Sequence, residues 1–305
     1  MKNLTVVFAL FLSLAVFSQQ DTTAVEKSNI QEFTPSKLLR KGQWDIKFFN
    51  SLYTQTKQTN ERSAAQDIER QNFFTNTTEI YTGVSANSRI NVGLVFQVRA
   101  NTFNGQDAFS VFSFENDLED SRSGLTTIAP SIRVQPFANV SNFSFTSSVF
   151  LPVFKDEPNA NYLDKRSVFW ETKFFYDKTF GADKWQVFTE ADFGFNFGQS
   201  TQDAIENNDD VNLGERFANN SLFLPLSVFL SSFPSDKSTL FVNVQQAFLI
   251  DLGNEFEQNY TQLGFGGKYQ MTEVLNLEAS YGKIVSGVNF QGLGHTFSLG
   301  LRALF

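Results

Sequence analysis

Hydrophobic and polar positions alternate with a period of two over stretches of ten residues or more. Arg89 to Asn101 shows it most clearly. Ile90, Val92, Leu94, Phe96, Val98 and Ala100 fall on one side, with Arg89, Asn91, Gly93, Val95, Gln97, Arg99 and Asn101 on the other. Successive side chains of an extended chain point to opposite faces, so this rhythm predicts a strand with two chemically different faces. The same pattern recurs at 166–180, where Val168, Trp170, Phe174 and Tyr176 oppose Glu171, Lys173 and Asp177. At 185–198, Trp185, Val187, Ala191 and Phe193 oppose Gln186, Glu190 and Asp192. Applied along the chain, it predicts twelve strands: 43–55, 72–85, 89–101, 125–136, 142–154, 166–180, 185–198, 217–233, 239–251, 259–271, 274–284 and 295–305.

The connections are expected to alternate in length. Compact turns, among them Ala86-Asn87-Ser88, 181–184, 234–238 and Thr272-Glu273, follow the even-numbered strands. Longer polar loops, among them 56–71, 102–124 and 199–216, follow the odd ones. Strands of this length exceed the usual soluble strand. An even number of them with turns at one end and loops at the other fits a transmembrane antiparallel up-and-down β-barrel of about twelve strands. In hydrocarbon each unpaired backbone group costs several kcal/mol, so a sheet survives there only by closing on itself. The apolar face then meets lipid and the polar face lines a lumen.

Composition sharpens this picture. The 305 residues include 37 Phe but only one His and no Cys, and the formal charge is −8. Thiolate metal sites, disulfides and cysteine nucleophiles are excluded. The acidic balance argues against a broad nucleic-acid surface. So much aromatic surface must be hidden in a large core or in lipid. Lys2 followed by the apolar run Leu4 to Phe17 and by Ser18 reads as a secretory signal peptide over residues 1–18. Its ~14 apolar residues fall short of the ~20 that a spanning helix needs. Residues 19–42 are expected to be a periplasmic lead and 43–305 the barrel.

The last strand carries a specific resemblance. Phe297, Leu299, Leu301, Ala303 and Phe305 alternate with Ser298, Gly300 and Arg302. This resembles the terminal strand of Gram-negative outer-membrane proteins, although Ala303 is smaller than usual there. The resemblance implies an outer-membrane location, contact with the bilayer and lipopolysaccharide, and recognition of this strand by the barrel-assembly machinery. With both termini periplasmic, Trp44 and Trp185 fall at the inner girdle and Trp170 at the outer one.

The expected lumen charges are Asp45, Lys47, Glu79, Arg89, Arg99, Arg133, Glu171, Lys173, Asp177, Glu190, Asp192, Lys268, Glu278 and Arg302, seven acidic and seven basic. Such balance suits ion-pair ladders as well as a pore, and a turn at 181–184 would set Lys173 against Asp192. Phe49, Phe150, Phe175, Phe188, Phe223, Phe229 and Phe241 also point inward. They either fill volume or line a path for amphipathic solutes. Twelve strands fall between filled eight-strand barrels and open sixteen-strand ones.

Catalytic patterns are weak. His295 and Ser298 are three apart and therefore on opposite faces, which separates base from nucleophile. Glu190 and Asp192 have Lys173 as the nearer account. No cofactor or metal is implied, since the acidic loop segments (Glu115 to Asp120, Asp203 to Glu215) lack the spaced ligands of a calcium loop. The sequence thus predicts a non-catalytic outer-membrane channel or transporter for small solutes. A structural or assembly partner within a larger complex is the alternative, and a surface lipid hydrolase a weaker one. Residues 107–114, unusually apolar for a loop, would extend above the membrane, fold inward as a constriction, or meet a partner.

Overall fold

The computed structural model describes residues 36–116, 120–154, 161–198, 220–253 and 255–305. The signal segment and the acidic stretch 203–215 lie outside them. Twelve strands form one closed barrel: β1 Trp44–Thr59, β2 Ala65–Gly83, β3 Ile90–Thr102, β4 Ser121–Val134, β5 Phe143–Pro152, β6 Val168–Phe180, β7 Trp185–Phe197, β8 Ser221–Ser235, β9 Ser238–Asp251, β10 Gln258–Gln270, β11 Leu275–Val288 and β12 His295–Leu304. Each strand is antiparallel to the next, and β1 closes against β12 from Asp45↔Leu304 to Thr54↔His295. No helix among the described residues is long and apolar enough to cross a membrane.

Alternation determines the two faces. On β3, Ile90, Val92 and Leu94 are exposed on the outside, while Asn91 and Val95 are buried within. Leu240, Val242 and Val244 on β9 and Phe297 and Leu299 on β12 extend the apolar outer wall. Trp44, Trp170 and Trp185 are exposed on that wall. Trp44 and Trp185 begin strands at the end with the turns, and Trp170 lies at the other end, where its Nε1 donates to Ser147 Oγ at 2.9 Å.

Two expectations about the connections fail. Residues 56–71 are no loop. β1 and β2 continue to a turn at 60–64, where Asn60 Oδ1 accepts from the backbone N–H of Arg62 and Ala64. Both faces of this extension are polar, so no period-two contrast marks it. The length alternation is also weaker than expected, because the connections 252–257 and 289–294 are as short as the turn 84–89.

Residues 36–42 pack across the turn end of the barrel. Leu39 is buried against Tyr81 and Leu304. Asn91 bonds both its backbone N–H (3.0 Å) and its carbonyl (3.1 Å), Ser36 Oγ donates to Asp177, and Lys37 Nζ reaches the Ser141 carbonyl at 2.9 Å. Gly83 makes this possible, because a Cβ there would lie 2.0 Å from the Arg40 carbonyl oxygen. Gly83→Ala is expected to push the lead out of the mouth. Trypsin cleavage at Lys37, Arg40 and Lys41 of the folded protein should then become several-fold faster, with the barrel itself still resistant.

Candidate functional site

The inward residues enclose a cavity of about 580 Å³. Lys37 of the lead lies at one end of its lining. Lys165 and Ser167, from the connection 153–167, lie at the other. Residues 161–167 of it dip into the barrel. The carbonyls of Tyr162 and Leu163 accept from Asn101 Nδ2 at 2.9 and 2.8 Å, and Asp164 pairs with Arg99 at 2.9 Å.

Of the fourteen charges expected in the lumen, Lys47, Glu79, Arg99, Arg133, Glu171, Lys173, Glu190, Lys268, Glu278 and Arg302 line the cavity. Asp45, Asp177 and Asp192 are buried behind them as anchors. Asp45, with no exposed surface, accepts from Arg302 Nε at 2.7 Å and from Arg133 Nη1 at 3.3 Å. Asp192 accepts from Lys173 Nζ at 2.7 Å across the β6–β7 ladder, and Asp177 accepts from Gln186 at 3.2 Å. Arg89 is a correction. It precedes β3, outside the cavity, and its guanidinium holds the carbonyls of Gln135 and Pro136 in the next turn.

The charges form two opposed groups. On β12, β1, β2 and β4 a chain of contacts links Arg302, Asp45, Arg133, Glu79 and Lys47, with Arg133–Glu79 at 2.6 Å and Lys47–Glu79 at 3.2 Å. Three cations there meet two anions. The Arg133 guanidinium also lies 3.4 Å from the centre of the Tyr81 ring, whose hydroxyl is bonded to Ser131. On β6 and β7 the ratio reverses. Among the described ion pairs, Lys173 serves Asp192 at 2.7 Å, Glu190 at 3.2 Å and Glu171 at 3.6 Å. The strand order sets these groups on opposite sides of the ring. The lumen is therefore polarised across its width, which a count of seven against seven conceals. Low-dielectric walls strengthen such a field.

A third surface is aromatic. Phe175, Phe188, Phe229 and Phe241 form a continuous file along β6 to β9, with successive ring centres 5.9, 5.4 and 5.8 Å apart. Phe49, Phe150 and Phe223 also line the cavity. Gly300 makes room for the Phe49 ring, since a Cβ there would meet it at 2.4 Å.

Tyr81, Gln97, Phe169 and Phe233 line the cavity without having been singled out. Their strand parity could have revealed them. Lys37 and Lys165 carried no such signal, because they enter from segments outside the strands. Lys165 Nζ lies 3.0 Å from the centre of the Phe169 ring and 3.3 Å from Asn196 Oδ1. Burial brings its amine down to about 7, against the opposing pull of Asp164 and Glu171. At His295, Tyr281 Oη lies 2.7 Å from Nδ1 and Lys283 Nζ 3.0 Å from Nε2. Ser298 is on the inner face, with its hydroxyl 3.3 Å from that of Ser51.

No protein-family model matches the chain, and no curated protein matches it in sequence. Solved structures share its fold. An outer membrane channel from Pseudomonas putida F1 superposes with a TM-score of 0.65 at 10% identity, over 93% of this chain and 100% of that one. The beta domain of the Bordetella autotransporter BrkA does so with a TM-score of 0.56 at 11% identity, over 86% and 99%. At such identities the likeness shows the architecture, a closed barrel of the outer-membrane type.

Removing one partner of a buried ion pair leaves an uncompensated charge. Asp45→Asn is thus expected to cost about 3 kcal/mol in urea unfolding from lipid vesicles. Asp67→Asn, at the exposed Lys57–Asp67 pair (3.5 Å), should change it by less than about 1 kcal/mol. Lys165 gives a pH test. Its folded-state value lies below that of a free lysine, so the amine is neutral above about 7 in the folded protein and charged below it. The burial penalty is fully present below about 7 and is relieved as pH rises toward the free-lysine value, so stability rises across that window. Ion selectivity measured at pH 6 and pH 8 should shift toward anions at the lower pH, and Lys165→Met should abolish the shift.

Proposed function

We propose that the protein is an outer-membrane channel for small solutes, acting without catalysis, with both termini and the short turns in the periplasm. The observation that carries this reading is the cavity inside the barrel, with cation-rich and acid-rich walls facing each other and an aromatic file that starts on the acid-rich wall and runs on to β9. The fold it shares with a Pseudomonas putida outer membrane channel supports the same reading. Small dipolar solutes fit best, because opposed fields orient a zwitterion while each wall repels one sign of simple ion. The aromatic file would accept an amphipathic portion of such a solute.

The apolar outer wall assigns the protein to the bilayer, and its long connections would stand among lipopolysaccharide headgroups. We assign the outward residues of β12 (Phe297, Leu299, Leu301 and Ala303), with Phe305 just after it, to recognition by the barrel-assembly machinery. The lead and the dipping connection 161–167 narrow the passage at its two ends, so the expected conductance is small.

Planar-bilayer recording of the full chain should show discrete, low-conductance steps. In liposome swelling a small zwitterion should enter several-fold faster than a dianion of equal size. Absence of both conductance and flux would sink the channel reading in favour of a structural barrel.

A further inference from the structure

Residues 103–116, which follow β3, fold back over the outside of the wall. Phe103 lies edge-on to the inward Phe73 at 5.7 Å, and the wall side chains gripped by residues 106–114 face outward. Asn72 Nδ2 donates to the carbonyls of Gln106 and Asp107, both at 3.1 Å, and to Thr102 Oγ1 at 2.9 Å, while Thr54 Oγ1 donates to Asn72 Oδ1 at 2.7 Å. Ser110 Oγ donates to Thr102 Oγ1 at 3.1 Å, and Ser123 Oγ to the Phe114 carbonyl at 3.1 Å. A 3-10 turn, Ser110–Ser113, seats Val111 on Leu52, Phe74 and Ala100, and all four are buried.

The flap therefore has two unlike sides. Its inner side covers a polar patch that would otherwise face outward, and Asn72 and Thr102 beneath it are nearly inaccessible. Its outer side presents Phe109, Phe112 and Phe114 at 69%, 47% and 45% exposure, with the Phe109 and Phe112 rings 6.2 Å apart. Phe112 and Phe114 also lie edge-on to Phe74, at 5.1 and 6.1 Å. Three adjacent exposed phenylalanines are costly in water and favourable in hydrocarbon. Beside them the apolar outer wall continues through Leu94 on β3 and Phe297, which pairs with Leu52.

We propose that residues 107–114 are a lipid-inserting flap, which shields polar wall residues and places Phe109, Phe112 and Phe114 among the acyl chains of the leaflet on the long-connection side. The proposal rests on the membrane reading above and adds to it a specific lateral contact with lipid.

Depth-dependent fluorescence tests it. In the full chain with Trp44, Trp170 and Trp185 replaced by Phe, one indole is introduced by Phe112→Trp, or by Phe109→Trp should the first variant fold poorly. The protein is reconstituted in phosphatidylcholine vesicles brominated on the acyl chains. Val242→Trp, on the exposed outer face of β9, is the control. The expected result is quenching of the flap indole by bromolipid to about the same extent as the control, with protection from aqueous iodide. Iodide quenching of the flap indole without bromolipid quenching, while the control is quenched by bromolipid, would overturn the flap and leave the membrane reading standing. Bromolipid quenching at neither position would overturn both.

Discussion

The structure depends on the absence of hydrogen-bonding partners for the backbone in hydrocarbon. Each strand must therefore satisfy two ladders, and the first must find the last. The β1–β12 pairing meets this demand over ten consecutive register pairs. Prolines show how strictly it is kept. Pro130 pairs with Leu94 on β3, and the β4–β5 ladder skips Ala129 and Pro130. Pro225 pairs with Ala247 on β9, and the β7–β8 ladder skips Leu224 and Pro225. In each case the missing N–H costs one ladder and spares the other.

Closure produces the lumen, and burial of charge then shapes it. Carboxylates placed inside a ring of strands must be held by cations, and the anchors Asp45 and Asp192 each fix the position of a cation that lines the cavity. Because the pairing is local to neighbouring strands, surplus charge remains local as well. A surplus of cations on β12, β1, β2 and β4 faces a surplus of carboxylates on β6 and β7. The transverse polarity of the passage is thus a consequence of unequal pairing on opposite walls. The aromatic file starts on the acid-rich strands β6 and β7 and continues onto β8 and β9, with each ring beside the next on the neighbouring strand.

Much of this was legible in the residue pattern. Parity along β3, β6 and β7 distinguished lipid side from lumen side, and the compact turn at 181–184 set Lys173 against Asp192. The polar extension of β1 and β2 was not legible, because above a membrane both faces of a hairpin meet water and no contrast survives. Neither was the position of Arg89, which had the correct parity but stands before the strand begins, where its guanidinium finds turn carbonyls.

The sequence by itself determined the strands, their two faces and the signs of the charges brought inside, because a period of two is a local property of an extended chain. Only the tertiary structure decided which charges share a wall, that Leu39 and Asn91 bind the lead into the mouth, and that Lys165 enters the lumen. It also decided that Phe109, Phe112 and Phe114 turn outward over Asn72. These are contacts between segments far apart in the chain. They are selected by the curvature of the closed ring and by unpaired polar groups elsewhere in it, and no window of sequence contains either.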